Sequence, residues 1–158
     1  MTAWVGIGAN LGDAHANVLD ALDRLTWTPG VRLLRASSLY RTAPIDSSGD
    51  DYINAVAEVD TSLSPRALLA ALHEIEQAHG RERPYRNAPR TLDLDLLLYD
   101  DELIDDAPSL TVPHPRMHER AFVLAPLAEL APGLAIPGRG RVAELLPAVA
   151  NQAIEKLR

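Results

Sequence analysis

Thr91-Leu92-Asp93-Leu94-Asp95-Leu96-Leu97-Leu98-Tyr99 alternates leucine with aspartate and then runs apolar. Alternate residues of a strand share a face, so the stretch reads as a β-strand with Leu92, Leu94, Leu96 and Leu98 on one side. Asp93 and Asp95 then share the other side, roughly 7 Å apart at Cα for a rise of about 3.3 Å per residue. Two carboxylates so close on one sheet face repel each other unless a cation or water lies against them. The apolar weight of the stretch suits a central strand. Arg86 and Arg90 stand just upstream, so groups that hold cations and groups that hold anions fall within one short segment.

Working outward, the loop 80–90 precedes this strand, and before it Ser64-Pro65 opens a helix with a capping serine and a proline at its first position. Leu68, Ala71, Leu72 and Ile75 line one face of that helix, and Gly80 stops it. Near the start, residues 3–9 form a strand, and Val18, Leu22 and Leu25 follow helical spacing up to Pro29-Gly30. Val31 to Tyr40 and Tyr52 to Val59 read as further strands, the latter with Ile53, Ala55 and Ala57 against Tyr52, Asn54 and Val56. Between them, 42–51 is a surface loop rich in Pro, Ser, Gly and Asp. Beyond Tyr99, Leu103-Ile104 is a short return strand, Pro113 and Pro115 hold His114 in an extended segment, and helical patterns recur over 116–130 and 142–149. The order strand, helix, strand, strand, helix, strand predicts an α+β fold. The expected form is a ferredoxin-like two-layer sandwich, mainly antiparallel sheet with helices packed on it, as one domain over 1–158.

Composition narrows the function. The 158 residues carry a net charge of −7, which argues against nucleic acid as the main partner. There is no cysteine, so a disulfide framework, a thiolate metal site and a thiol nucleophile are excluded, and a reducing, cytoplasmic setting is expected. No apolar run approaches the roughly 20 residues of a membrane span, and no basic segment precedes an apolar one at the start. Lys156 is the only lysine. Arg81, Arg83, Arg86 and Arg90 cluster ahead of the acidic pair, a pattern suited to bidentate phosphate binding or, alternatively, to a solvated loop.

Several residues are candidates for chemistry. Asp93 and Asp95 are hard oxygen ligands of the kind Mg²⁺ takes alongside waters and phosphates; solvent-facing aspartates on an exposed sheet are the alternative. His73, Glu76 and His79 recur every three residues on the second helix without the His-x-x-x-His ligand pair, which favours a solvated polar face. Gly6-Ile7-Gly8 with Gly12 misses the dinucleotide fingerprint by one residue and is rejected as such. His114, His118 and Arg120 lie in Val112-Pro113-His114-Pro115-Arg116-Met117-His118-Glu119-Arg120, where the prolines direct His114. Phe122 is the only phenylalanine.

Residues 86–97 read as a basic residue, any residue, a small residue, then Pro-Arg-x-x-Asp-aliphatic-Asp-aliphatic-aliphatic. Together with Gly8-Ala9-Asn10-Leu11-Gly12, Ser38-Leu39-Tyr40-Arg41-Thr42-Ala43-Pro44, Asp51-Tyr52-Ile53-Asn54-Ala55 and Val112 to Phe122, this resembles the 6-hydroxymethyl-7,8-dihydropterin pyrophosphokinases. The resemblance implies transfer of the β,γ-diphosphate of ATP to the pterin hydroxymethyl group, with release of AMP, in folate biosynthesis. It implies that Asp93 and Asp95 hold two Mg²⁺ ions and act in catalysis with Arg81, Arg83 and Arg90. Thr42, Pro44, Ile45, Tyr52, Asn54 and Phe122 would form the pterin pocket. His73, Glu76, Arg83, Arg90, Thr111, His114 and Arg120 would contact ATP, and the loops 42–51 and 80–90 would close over the substrates. Asn87-Ala88 stands where some members carry a tryptophan, Ala43 where a second proline is common, and Ser109 and His118 where some have arginine and lysine. The expected protein is a stand-alone monomer with small-molecule substrates only, whose product passes to a separate synthase. The alternative from another class is a ferredoxin-like regulatory module that binds nucleotide or metal without turnover; such a module needs the acidic pair but not Asn54, His114, Arg120 and the arginine loop together.

Overall fold

Strand β1 (Thr2–Ala9) leads into helix α1 (Ala14–Thr26), which begins where the Asp13 carboxylate accepts the Ala16 amide at 3.1 Å. Strand β2 (Val31–Ala36), strand β3 (Tyr40–Thr42) and strand β4 (Tyr52–Thr61) follow. Helix α2 (Pro65–Ala78) starts as the sequence predicts, with the Ser64 hydroxyl accepting the Ala67 amide at 3.1 Å. Strand β5 (Asp93–Tyr99), strand β6 (Ile104–Asp106) and strand β7 (Leu110–Val112) come next, then helix α3 (Ala121–Leu130). Strand β8 (Ala135–Ile136), strand β9 (Gly140–Arg141), helix α4 (Val142–Leu145) and strand β10 (Ile154–Lys156) complete the fold. The computed structural model describes residues 1–10, 13–43, 51–78, 92–107 and 109–157.

The main sheet runs β10-β3-β4-β1-β5, with β2 also paired to β4, and every pair is antiparallel. The expected strand from Val31 to Tyr40 is interrupted at Ser37. There the Ser37 amide donates to Val56 O and the Ser37 hydroxyl accepts from Val56 N, both at 2.9 Å. The hydroxyl thus stands in for a ladder carbonyl while the chain turns, and Val56 loses no partner.

Period-two patterning sends Ala3, Val5, Ile7 and Ala9 of β1 to one face, with Ile53, Ala55, Ala57 and Val59 of β4 and Leu94 and Leu96 of β5. Helices α1 and α2 cover that face through Val18, Ala21, Leu25, Leu68, Leu72 and Ile75. Ala71, expected among these, is only half-buried. The opposite face carries a second apolar cluster, Trp4, Val56, Leu97 and Leu98, packed under Leu124 and Leu127 of α3 and Val142 of α4. The two-layer expectation describes the chain as far as β5; the C-terminal third adds a partial third layer.

Four expectations need correction. Leu98 does not share a face with Leu92, Leu94 and Leu96. A bulge shifts the β1–β5 register between Trp4 and Val5, pairing Trp4 with Leu98 and Val5 with Leu96, so Leu97 is the extra residue, and Leu98 joins the second cluster while Tyr99 joins the first. Strand β5 is not central: among the described residues it pairs with β1 alone and forms the sheet edge. Its leucines are buried because layers pack on both of its faces. The helical pattern over 116–130 is two elements, a 3-10 turn at Met117–Glu119 and then α3, separated by extended Arg120. The pattern over 142–149 likewise divides into α4 and a 3-10 turn at Leu146–Val149. Leu103-Ile104 does begin a return, but β6 pairs with β7 in a separate hairpin.

Leu68 of α2 is fully buried against the first face. Leu68→Ala leaves a cavity there and is expected to lower unfolding stability by about 2–5 kcal/mol. Urea unfolding followed by far-UV circular dichroism checks this; a loss below about 0.5 kcal/mol would mean that α2 carries little of the core.

Candidate active site

On the second face, Asp93 of β5 pairs with Gly8 of β1, and Gly8 pairs with Asn54 of β4. One step along, Asp95 pairs with Gly6 and Gly6 with Val56. Directly opposed residues of an antiparallel pair point to the same face. The sheet therefore presents a carboxylate row at its edge, two glycines with no side chain, and then Asn54. With strands about 4.8 Å apart, Asp93 and Asn54 stand roughly 10 Å from each other across bare backbone.

This floor underlies an open cleft of about 330 Å³, lined by Thr42, Tyr52, Asn54, Asp93, Asp95 and Phe122 among others. The glycines are needed for it. A Cβ at Gly8 would lie 2.9 Å from Asn54 Oδ1, and one at Gly6 would lie 3.4 Å from Leu97 Cδ2. Asn54 is buried and donates through Nδ2 to the Thr42 hydroxyl at 2.8 Å, which fixes the carboxamide with Oδ1 over Gly8. From the other side Arg120 and Phe122 reach the cleft from the start of α3, the guanidinium carbon 5.3 Å from the ring centroid. That distance is a cation–π contact.

His114 stands next to the acidic pair. Its amide donates to Leu97 O at 2.9 Å and its Nδ1 accepts the Arg116 amide at 3.2 Å. Burial lowers its pKa, Asp95 opposes that shift, and Arg120 and Arg116 reinforce it. The neutral ring is favoured.

Glu76 is 2% exposed, and its carboxylate accepts the Leu94 amide at 2.8 Å. It therefore grips the backbone between the two aspartates. His73 is exposed on α2, and Thr111 is half-buried on β7; neither lines the cleft. Pro44, Ile45, His79, Arg81, Arg83, Arg86 and Arg90 lie outside the described residues, as do residues 44–50 and the whole loop 80–90.

Two features of the site escape the sequence reading. One is the glycine floor, whose signal was present: Gly-x-Gly on a strand has the same period as Asp-x-Asp. The other is Glu129 of α3. Its carboxylate accepts from the Ser38 amide at 3.0 Å, the Ser38 hydroxyl at 3.0 Å and the Tyr40 hydroxyl at 2.7 Å, with Lys156 Nζ at 3.9 Å. This network ties α3 to β3, the strand that carries Thr42. Nothing in the local sequence around Glu129 announces it, because the serine and tyrosine that donate to it lie about ninety residues away.

A cleft of this size, with a carboxylate pair at one end and an aromatic ring with a buried amide at the other, has the form of an enzyme's small-molecule site. The chain matches the family described as 7,8-dihydro-6-hydroxymethylpterin-pyrophosphokinase over residues 4–132. It is 44% identical, across 98% of its length and 95% of the relative's, to a 2-amino-4-hydroxy-6-hydroxymethyldihydropteridine pyrophosphokinase of Pseudomonas aeruginosa. A protein of the same name from Methylorubrum extorquens is 42% identical across 98% of each chain. A solved Plasmodium falciparum chain, wild-type HPPK-DHPS, has a similar fold at a TM-score of 0.72 and 14% identity, covering 92% of this chain and 40% of that one. The present chain spans less than half of that solved chain. It belongs to the 7,8-dihydro-6-hydroxymethylpterin-pyrophosphokinase family.

Burial alone would raise the Glu129 carboxyl, but the Tyr40 and Ser38 hydrogen bonds and Lys156 outweigh it and hold its pKa below the ordinary 4.5. A carboxyl with a depressed folded-state pKa stabilises the fold above its unfolded value and loses that contribution as pH falls through the folded one. Glu129→Gln is therefore expected to be less stable than wild type at pH 7, with the gap closing below about pH 4.5. Urea unfolding at a series of pH values measures it, and a gap independent of pH would show that the carboxylate charge contributes nothing.

Proposed function

We propose that the protein transfers the β,γ-diphosphate of ATP to the hydroxymethyl group of 6-hydroxymethyl-7,8-dihydropterin, giving AMP and the pterin diphosphate, in folate biosynthesis. The hydroxymethyl oxygen attacks the β-phosphorus, the bond from that phosphorus to the α,β-bridging oxygen breaks, and the hydroxyl proton is lost as AMP leaves. The observation that carries this reading is the floor itself: a carboxylate pair and a fixed Asn54 flank two glycines on one sheet face. A flat heterocycle can lie on bare backbone only where side chains are missing.

The pterin lies over Gly8 with its edge against Asn54 and Thr42, Tyr52 beside it and Phe122 stacked on its face. An aromatic face with edge hydrogen bonds is what a buried heterocycle requires. Pro44 and Ile45 are assigned to the pterin by family resemblance alone. Asp93 and Asp95 would hold two Mg²⁺ ions. The two carboxylates share one face of β5 at the cleft, and Mg²⁺ is suited to a site of one or two carboxylates plus waters and substrate phosphates. When bound, such ions neutralise phosphate charge and lower the pKa of a coordinated hydroxyl. His114, kept neutral, offers a hydrogen bond without adding charge, while Arg120 supplies a cation to the polyphosphate. Arg81, Arg83 and Arg90 supply further cations, and Glu76, His73 and Thr111 belong to the nucleotide side. In-line positioning and charge neutralisation supply most of the rate in transfers of this kind.

The strand order β5-β1-β4-β2/β3 is read as a ferredoxin-like split βαβ repeat. The protein is read as a cytoplasmic monomer acting on diffusible substrates. A regulatory module without turnover is the second reading; the glycine floor with Asn54 favours the enzyme, since nucleotide binding alone needs neither.

A coupled assay for AMP with Mg²⁺, ATP and the hydroxymethyldihydropterin tests the reaction. Asp95 is exposed, so Asp95→Ala is expected to fold normally and to lose at least about a hundredfold in turnover. No AMP above a pterin-free control from the wild type would sink the enzyme reading. Gly8→Ala pushes Asn54 off Thr42 and is expected to weaken pterin binding about tenfold, or about 1.4 kcal/mol, as measured by pterin fluorescence titration. An unchanged Kd would detach Asn54 from the pterin.

A further inference from the structure

Helix α3 brings two residues to the cleft, and its start lies at an awkward point in the chain. Arg120 is extended (φ −122°, ψ 117°) between the 3-10 turn Met117–Glu119 and α3, and its own side chain does not cap the helix. The first amides of a helix have no partner within it. Here Gln152, thirty-one residues downstream, accepts the Ala121 amide through Oε1 at 2.9 Å. Its Nε2 donates to Glu119 O at 2.8 Å. One planar carboxamide thus holds the peptide groups on both sides of Arg120, at the place where the chain would otherwise pivot.

Gln152 is itself held. Its amide donates to Val149 O at 3.0 Å, and two residues later Ile154 of β10 pairs with Thr42 of β3. The segment 152–154 therefore reaches from the wall of the cleft that carries Arg120 and Phe122 to the wall that carries Thr42. These residues lie beyond the 4–132 region matched by the family.

We infer that Gln152 is a positioning residue: through the two hydrogen bonds that bracket Arg120 it fixes where Arg120 and Phe122 stand against the Thr42–Asn54 wall. The inference rests on the pterin diphosphokinase reading for its effect on substrate. The hold on Arg120 is independent of that reading.

The test uses the full chain with Gln152→Ala, which loses both bonds, and Gln152→Glu, which keeps an acceptor for the Ala121 amide but sets a carboxylate against the Glu119 carbonyl. Leu25→Ala, at a residue of α1 buried against the far face, serves as a variant destabilised away from the cleft. Gln152→Ala is expected to raise the KM for the pterin about tenfold, with a smaller fall in kcat, since displaced contact groups weaken binding and alignment. Gln152→Glu is expected to fall between Ala and wild type. Hydrogen exchange at the Ala121 amide is expected to quicken about tenfold in Gln152→Ala and to stay near wild type in Leu25→Ala. Wild-type KM in both Gln152 variants, or a KM change no larger than that of Leu25→Ala, would overturn the inference. If Gln152→Ala does not fold, Gln152→Glu with wild-type KM overturns it alone. Should the wild type release no AMP, the functional reading fails, and the exchange rate at Ala121 still decides whether Gln152 holds this corner.

Discussion

The register between β1 and β5 is the constraint on which the rest depends. It sets Asp93 against Gly8 and Asp95 against Gly6. Two like charges on an edge strand would by themselves favour fraying, because an edge has unpaired backbone groups and the carboxylates repel. The fold counters this from the other side of the strand. Leu92, Leu94 and Leu96 are buried in the first core, and Glu76 accepts the Leu94 amide between the two aspartates. A one-residue slip would turn those leucines to solvent and the aspartates into the core, so the apolar side enforces the polar one. Glu76 is an expensive group to bury, and a hydrogen bond to a backbone amide offsets part of that cost.

The cleft lies where it does because the third layer is incomplete. At the Trp4 and Leu98 end, α3 and α4 cover the second face; at the Gly6 and Gly8 end nothing apolar projects from β1 to be covered. The bulge at Leu97 marks the transition. It adds a second large side chain to the covered half, and the Leu97 methyl closes against Gly6. Core and binding surface are thus consecutive stretches of the same strands, distinguished by glycine against tryptophan on β1 and by aspartate against leucine on β5.

The parts legible in the sequence are those governed by short periods. The period of two in Asp93 to Leu96 and in Ile53 to Ala57 placed both strands, and the serine and proline at 64–65 placed a helix start. The bulge is not periodic, so strict alternation puts Leu98 on the wrong face. Edge and centre could not be separated either, since a strand buried on both faces reads the same in either position. The tethers at Ser37, Glu129 and Gln152 are single polar side chains with partners far along the chain, and no local pattern encodes them. The roles proposed for the acidic pair, Asn54 and Phe122 rest on family resemblance; what the structure adds is that the acidic pair and Asn54 share one sheet face and that Phe122, from α3, joins them at one cleft.

That arrangement divides the site into parts with different physical demands. Asp93, Asp95 and Asn54 sit on adjacent strands of one sheet, where spacing is set by backbone hydrogen bonds and changes little. Phe122 and Arg120 come from a separate layer, and their distance from the sheet depends on side-chain tethers. A stacking ring and a guanidinium can tolerate that looser control, since dispersion and long-range charge vary gently with distance, whereas a metal-ligand pair cannot. The protein also carries a net charge of −7, and its most exposed carboxylate in the cleft, Asp95, repels a polyphosphate as strongly as it attracts a cation. On the proposed reading Arg120 offsets part of that repulsion, and two divalent ions would set four positive charges against the pair's two negative ones. Metal and nucleotide then strengthen each other's binding, which ties the acidic pair's affinity for phosphate to the state in which transfer can occur.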